Sequence, residues 1–187
     1  MKPLILVKHS LPEIVEAIPA REWTLSEKGR QQARKLAELL IPYQPEVIAC
    51  SVEPKARETA SILAENLGLV VHEAEGLQEH DRSSSPYHSR DHFQNLVQEF
   101  FEKPNLLVFG NEPAAQSLAR FRRAVEFVLK SFEDKIIVIV AHGTVISLFV
   151  SSLTGCDGYT LWQKLGLPSF VLIDMQSGVL VKIENLP

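Results

Sequence analysis

Ile136-Ile137-Val138-Ile139-Val140-Ala141 runs directly into His142-Gly143-Thr144, and the fold is read from this stretch. The run is β-branched and apolar at alternate positions of both parities. A strand of that kind is covered on both faces, as strands of a parallel sheet are. Two shorter runs, Leu4–Val7 and Val47–Cys50, have the same character, and Leu69–His72 is a weaker fourth. Helical patterns lie between them. Thr24-Leu25-Ser26-Glu27 offers a capping box ahead of Ala33, Leu36, Ala37 and Leu40. Pro54 suits a helix first turn, with Ala56, Ala60, Leu63 and Leu67 as the stripe and Gly68 as the stop. Further helices are expected from Pro113, with Leu118, Phe121, Val125, Val128 and Phe132 inward, and after Gly143. Ser169–Asp174 and Val179–Glu184 flank Gln176-Ser177-Gly178, a hairpin signal. The expectation is an α/β three-layer sandwich: a mostly parallel central sheet, helices on both faces and a C-terminal hairpin edge.

The chain has 187 residues, 45% hydrophobic and 22% charged, which excludes intrinsic disorder and predicts one domain spanning 1–187. Nineteen Lys+Arg against 23 Asp+Glu give a net charge of −4, arguing against general nucleic-acid or membrane binding. Leu4–Val7 is too short for a signal-peptide core or a membrane span. Cys50 reads as a small core residue and Cys156 as a loop thiol, so a reducing, cytoplasmic setting is expected. Trp23, Phe121 and Phe127 read as packing aromatics. The polar stretch from Gly76 to His92 reads as a flap.

Chemistry collects where the strands end. The first run leads into Lys8-His9-Ser10, the second into Ser51 with Lys55 and Arg57 beyond. The weak run leads to Glu79, His80, Asp81 and Arg82, and the deciding run to His142-Gly143. In an open parallel sheet these ends share one edge, where ligands bind. Cations beside helix N-termini suit a compact dianion such as a phosphoryl group. A neutral imidazole among them can attack phosphorus, and a carboxylic acid can protonate the departing oxygen. No metal or other cofactor is required by that inventory.

These residues resemble the histidine phosphatase (phosphoglycerate-mutase-like) superfamily. Leu6-Val7-Lys8-His9-Ser10 is similar to its Leu-Val-Arg-His-Gly signature, and Leu25 through Ala33 to its first helix start. Ser51 through Ala60, SVEPKARETA, is similar to Ser-Pro-Leu-x-Arg-Ala-x-Gln-Thr-Ala. Leu77-Gln78-Glu79, Val140-Ala141-His142-Gly143, and Asn111-Glu112 with Arg120 continue the resemblance. It implies His9 as the phosphorylated nucleophile, His142 as the second histidine and Glu79 as proton donor. Lys8 and Lys55 stand where the family has arginines, with Ser10 and Gly143 completing a phosphate pocket. Lysine keeps the charge but loses the bidentate fork. Arg57, Arg82, His88 and Arg90 are candidate substrate contacts.

The resulting expectation is a phosphomonoester hydrolase of histidine acid phosphatase type, acting on a small phosphorylated metabolite or phosphoprotein. The absence of the mutases' longer insertions favours phosphatase over mutase within the resemblance. A weak or inactive phosphate-binding regulator on the same fold is the alternative. A zinc-dependent hydrolase using His80, His88 and His92 is a third, although Ser89 stands where a metallohydrolase helix would carry Glu. Oligomeric state is not encoded in any recognisable motif.

Overall fold

Alternate residues of the central strands enter two separate cores, as the apolar runs require. In the computed structural model, which describes residues 3–186, Leu4, Leu6, Ala49, Ile139 and Ala141 pack with Phe121, Val125, Val145 and Phe149 on one side of the sheet. Ile5, Val7, Ile48, Cys50, Val138 and Val140 pack with Leu36, Ala37, Ala60 and Leu63 on the other. Neither face of these strands reaches water, so period-two polarity is absent and the runs read as continuous apolar blocks.

Along the chain the elements are β1 (Pro3–Lys8), α1 (Glu27–Leu40), β2 (Val47–Cys50), α2 (Pro54–Leu67) and β3 (Val71–Glu73). They continue with α3 (Arg90–Glu102), α4 (Ala114–Ser131), β4 (Ile137–Ala141), α5 (Gly143–Thr154), α6 (Gly158–Lys164), β5 (Ser169–Asp174) and β6 (Val179–Asn185). The strand order is β3-β2-β4-β1-β5-β6. The first four are mutually parallel, while β5 runs antiparallel to β1 and β6 antiparallel to β5. This is the expected mostly parallel sheet with a hairpin edge.

Local signals are met with small shifts. The cap of α1 is Ser26, two residues after Thr24; its Oγ accepts from Gly29 N–H. Gly29 cannot carry a side chain, because a Cβ there would lie 2.0 Å from the Leu11 carbonyl oxygen. Pro54 opens α2 and Gly68 closes it in the left-handed region, φ 66°. The sequence reading gave no helix for α3, whose Phe93, Val97 and Phe100 recur at helical spacing, or for α6, too short to show a period. Phe121 is in the core, but Phe127 is 68% exposed and not a packing residue. Six positions along α4 turn it about 240° from Phe121, away from the sheet.

Candidate active site

Strand register places the two histidines. Lys8 of β1 is paired with Ala141 of β4, and His9 N–H donates to the Ala141 carbonyl at 3.0 Å. His9 and His142 are therefore the next residues of adjacent parallel strands, leaving the same sheet edge. Their rings meet edge to face with centroids 5.2 Å apart. The Ser10 carbonyl lies 2.7 Å from His9 Nδ1. A carbonyl can only accept, so Nδ1 carries the proton and Nε2 keeps a lone pair. Burial, reinforced by His142 and Lys55, holds His9 well below the usual imidazole range. Burial and Lys55 do the same for His142. Both rings are thus neutral near pH 7, and His9 Nε2 is a nucleophile. His142 Nε2 shares a 2.9 Å hydrogen bond with Ser51 Oγ, and its Nδ1 has no protein partner among the described residues.

The two lysines reach this edge in different company. Lys8 Nζ donates to the Leu165 carbonyl at 2.8 Å, and its stem passes against Gly143, where a Cβ would meet Lys8 Cε at 3.0 Å. Burial lowers Lys8 to about 8, against the opposing pull of the Glu79 carboxylate. Lys55 Nζ donates to the Ala20 carbonyl at 2.8 Å and to Glu53 Oε2 at 2.5 Å. Burial lowers it too, and the Glu53 carboxylate works against that. Glu53, 7% exposed, is a site residue that sequence reasoning missed. Its Oε1 accepts from Glu79 N–H at 2.8 Å and lies 3.7 Å from His142 Nε2. The available signal was its place in SVEPKARETA, where the compared pattern has leucine.

Glu79 caps α5. Its carboxylate accepts from the N–H groups of His80 (2.9 Å), Thr144 (3.2 Å) and Val145 (3.2 Å). Burial alone would raise Glu79, but the Arg82 charge and these N–H groups oppose it, and the carboxyl lies below its usual range. The helix N-terminus expected to meet a ligand anion thus already holds a protein anion. Arg120 secures the segment carrying Glu79: it donates to the carbonyls of Gly76 (2.9 Å), Gln78 (2.9 Å) and Glu79 (3.0 Å) while paired with Glu112. Glu112 and Arg120 stood out in the sequence only as a motif resemblance; neither their pairing nor this bracing role was read from it.

Other candidates divide. Arg82 lies over the Phe93 ring at 4.5 Å and, with His88 and Arg90, lines the cleft that opens above Lys55 and Glu79. Arg57 is not brought there; it pairs with Glu73 of β3 at 3.0 Å on the exposed side of α2. Ser10 turns its hydroxyl to the Gly29 carbonyl at 2.7 Å and its N–H to Thr59 Oγ1 at 3.0 Å, so it fastens β1 to α1 and α2. The three histidines considered for zinc do not converge. His80 Nε2 is 3.0 Å from the Glu112 carbonyl with its ring against Phe100 and Phe109, while His88 shares a bond with Ser85. The His88 and His92 rings do meet, centroids 4.9 Å apart, although α3 starts only at Arg90, so His88 precedes the helix and His80 supplies no third ligand. Among the described residues no three His, Cys, Asp or Glu gather as a metal site.

The sequence profile of the histidine phosphatase superfamily (branch 1) matches residues 5–181. The chain belongs to that superfamily. A relative from Hydrogenobacter thermophilus, named "Putative phosphoserine phosphatase 2", is 29% identical over 173 residues, covering 87% of this chain and 84% of its own. The fold is that of a mycobacterial glucosyl-3-phosphoglycerate phosphatase (TM-score 0.76, 23% identity, 93% of this chain and 90% of that one). It is also that of an Entamoeba histolytica phosphoserine phosphatase mutant complexed with phosphoserine (TM-score 0.77, 22% identity, 98% and 97%).

Proposed function

We propose that this histidine phosphatase hydrolyses phosphomonoesters through a phosphohistidine on His9, chain 1–187 acting as one domain. The reading rests above all on the His9–His142 pair, with a lone pair left on His9 Nε2. Nε2 attacks phosphorus, a P–N bond forms and the ester P–O bond breaks. The departing oxygen needs a proton, and Glu79 is the carboxyl poised on the same edge. Glu79 rests as a carboxylate; an anionic phosphoryl group beside it raises its pKa and loads the proton. Water then attacks the phosphohistidine, Glu79 takes its proton, the P–N bond breaks and phosphate leaves. Lys8, Lys55 and Arg82 supply the positive charge that holds the transferring group.

The names of the relatives favour a small phosphorylated substrate, such as phosphoserine or a phosphoglycerate derivative. Within the acid-phosphatase class, activity is greatest where Lys8 is charged, below about pH 8. Two free cysteines fit a cytoplasmic setting, and among the described residues no helix is long and apolar enough to cross a membrane. The test is phosphate release from a panel of esters: wild type releases it and His9→Ala does not. Equal release by His9→Ala would overturn the mechanism. A second reading, a phosphate-binding regulator without turnover, is favoured by the Lys55–Glu53 pair, which engages a cation otherwise available to phosphate. Steady hydrolysis by wild type would reject it.

A further inference from the structure

The phosphate end of the site is weakly cationic. Lys8 and Lys55 already donate to the backbone carbonyls of Leu165 and Ala20, and Lys55 carries the Glu53 carboxylate as well. Neither lysine has the planar fork that grips two phosphoryl oxygens at once. With the histidines neutral, the charges of Lys8, Lys55 and Arg82 face those of Glu53 and Glu79. A substrate recognised through its phosphate alone would be held loosely here.

The cleft above these groups mixes characters, with charged side chains such as Glu16, Arg21 and Arg90 beside a group of apolar ones. It encloses about 1140 Å³, at or above the upper end of the usual range for small-molecule sites. One wall comes from residues 14–23, the other from residues 75–93, and Val52 and Pro54 lie at the base. Ile14 (55% exposed), Ile18 (38%) and Tyr87 (56%) present apolar surface to it, and the Phe93 ring supports Arg82 from its side. The wall is held in shape: Trp23 Nε1 donates to the Val15 carbonyl at 2.9 Å, and Lys55 fastens Ala20. Exposed apolar side chains gathered at the mouth of a reacting centre mark a binding surface.

We infer that the preferred substrate is a phosphomonoester of a bulky apolar alcohol, bound chiefly through Ile14, Ile18, Tyr87 and Phe93 rather than through its phosphate. This rests on the phosphatase reading above and replaces the phosphoserine-like substrate that the relatives' names favour. Binding energy from the organic group would orient the phosphorus over His9, as remote contacts do when the reacting group alone binds poorly. It separates this chain from relatives named for phosphoserine, whose small polar leaving group would leave the apolar walls wet.

The test uses n-butyl, n-hexyl and n-octyl phosphate below their micelle concentrations, with phosphoserine alongside. Leaving-group acidity is nearly constant along the alkyl series, so changes in kcat/KM report contact with the chain. The expected result is a rise of about two- to four-fold per methylene, with phosphoserine below n-hexyl phosphate. Ile18→Asn, at a partly exposed position, flattens the slope. A flat or falling series with measurable hydrolysis, or phosphoserine as the best ester, overturns this inference and leaves the phosphatase reading intact. No hydrolysis of any ester overturns the phosphatase reading itself.

Discussion

The floor of the site is a sheet edge, where His9 and His142 leave neighbouring strands one residue past the register pair Lys8–Ala141. By contrast, the walls of the cleft at residues 14–23 and 75–93 are loop chain, apart from a 3-10 turn at Ala20–Glu22 and the first residues of α3. The floor is fixed by backbone hydrogen bonds that no single side chain controls. The walls are fixed by a few long side chains reaching across the fold: Arg120 to Gly76, Gln78 and Glu79, Lys55 to Ala20, Trp23 to Val15. Chemistry is therefore tied to the sheet and robust, and substrate choice is tied to contacts that substitution can alter. The lysines divide along the same line, Lys8 on the last residue of a strand and Lys55 on a helix tied into the wall.

The largest effect of a wall residue on the chemistry is expected from Arg120→Ala. It leaves three carbonyls without their guanidinium donor and a buried Glu112 without its cation, so the segment bearing Glu79 loosens. Stability should fall by about 2–4 kcal/mol in denaturant unfolding. The kcat should fall on the order of 100-fold, the scale of misplacing a catalytic group by about 1 Å. Unchanged kcat would mean that the wall does not position Glu79.

Glu53→Gln comes next, with the opposite sign. Removing a like charge from beside the phosphoryl position should tighten inhibition by inorganic phosphate about ten-fold or more at pH 6–7. The gain should fade at lower pH than wild-type affinity does, because Glu53 is what opposes the burial-driven fall of Lys55. Weaker inhibition by phosphate would show that Glu53 serves the phosphate site instead of competing with it.

A smaller effect belongs to Lys8→Arg. The Lys8 charge is present below about pH 8 and lost as pH rises through that value, so wild-type phosphate affinity declines from pH 7.5 to 9. Arginine stays charged there, and the variant should lose that decline, a difference of about ten-fold at pH 9. Identical profiles would remove Lys8 from phosphate binding. Smallest of all is Arg57→Ala: its pair with Glu73 is exposed, so stability should stay within about 0.5 kcal/mol and kcat/KM within a factor of two.

The floor was legible because its information is local. Apolar runs name the strands, and the residues at each run's end name the edge, so Lys8, His9 and His142 could be placed from the sequence, while Glu79, six residues past β3, was singled out only by its Leu77-Gln78-Glu79 resemblance. The hairpin and the caps at Pro54 and Gly68 were local in the same way. What escaped depends on partners far along the chain. Glu53 looks like a helix-cap position until Lys55, Glu79 N–H and His142 surround it. Ser10 looks like a phosphate ligand until Gly29, brought against Leu11 by its missing Cβ, takes the hydroxyl. The N-terminus of α5 looks free until Glu79, across 65 positions, fills it. Arg57 follows the same lesson in reverse, since a basic residue in a first turn found Glu73 rather than a ligand.

The central claim is that His9 takes the phosphoryl group. Rapid quench of the protein after mixing with an aromatic phosphate ester, followed by mapping of the modified peptide, tests it most directly. The account predicts acid-labile, base-stable phosphate on the peptide containing His9, appearing before free phosphate and missing in His9→Ala. Phosphate release that proceeds with no labelled protein at any time, or a label on another residue, would contradict it.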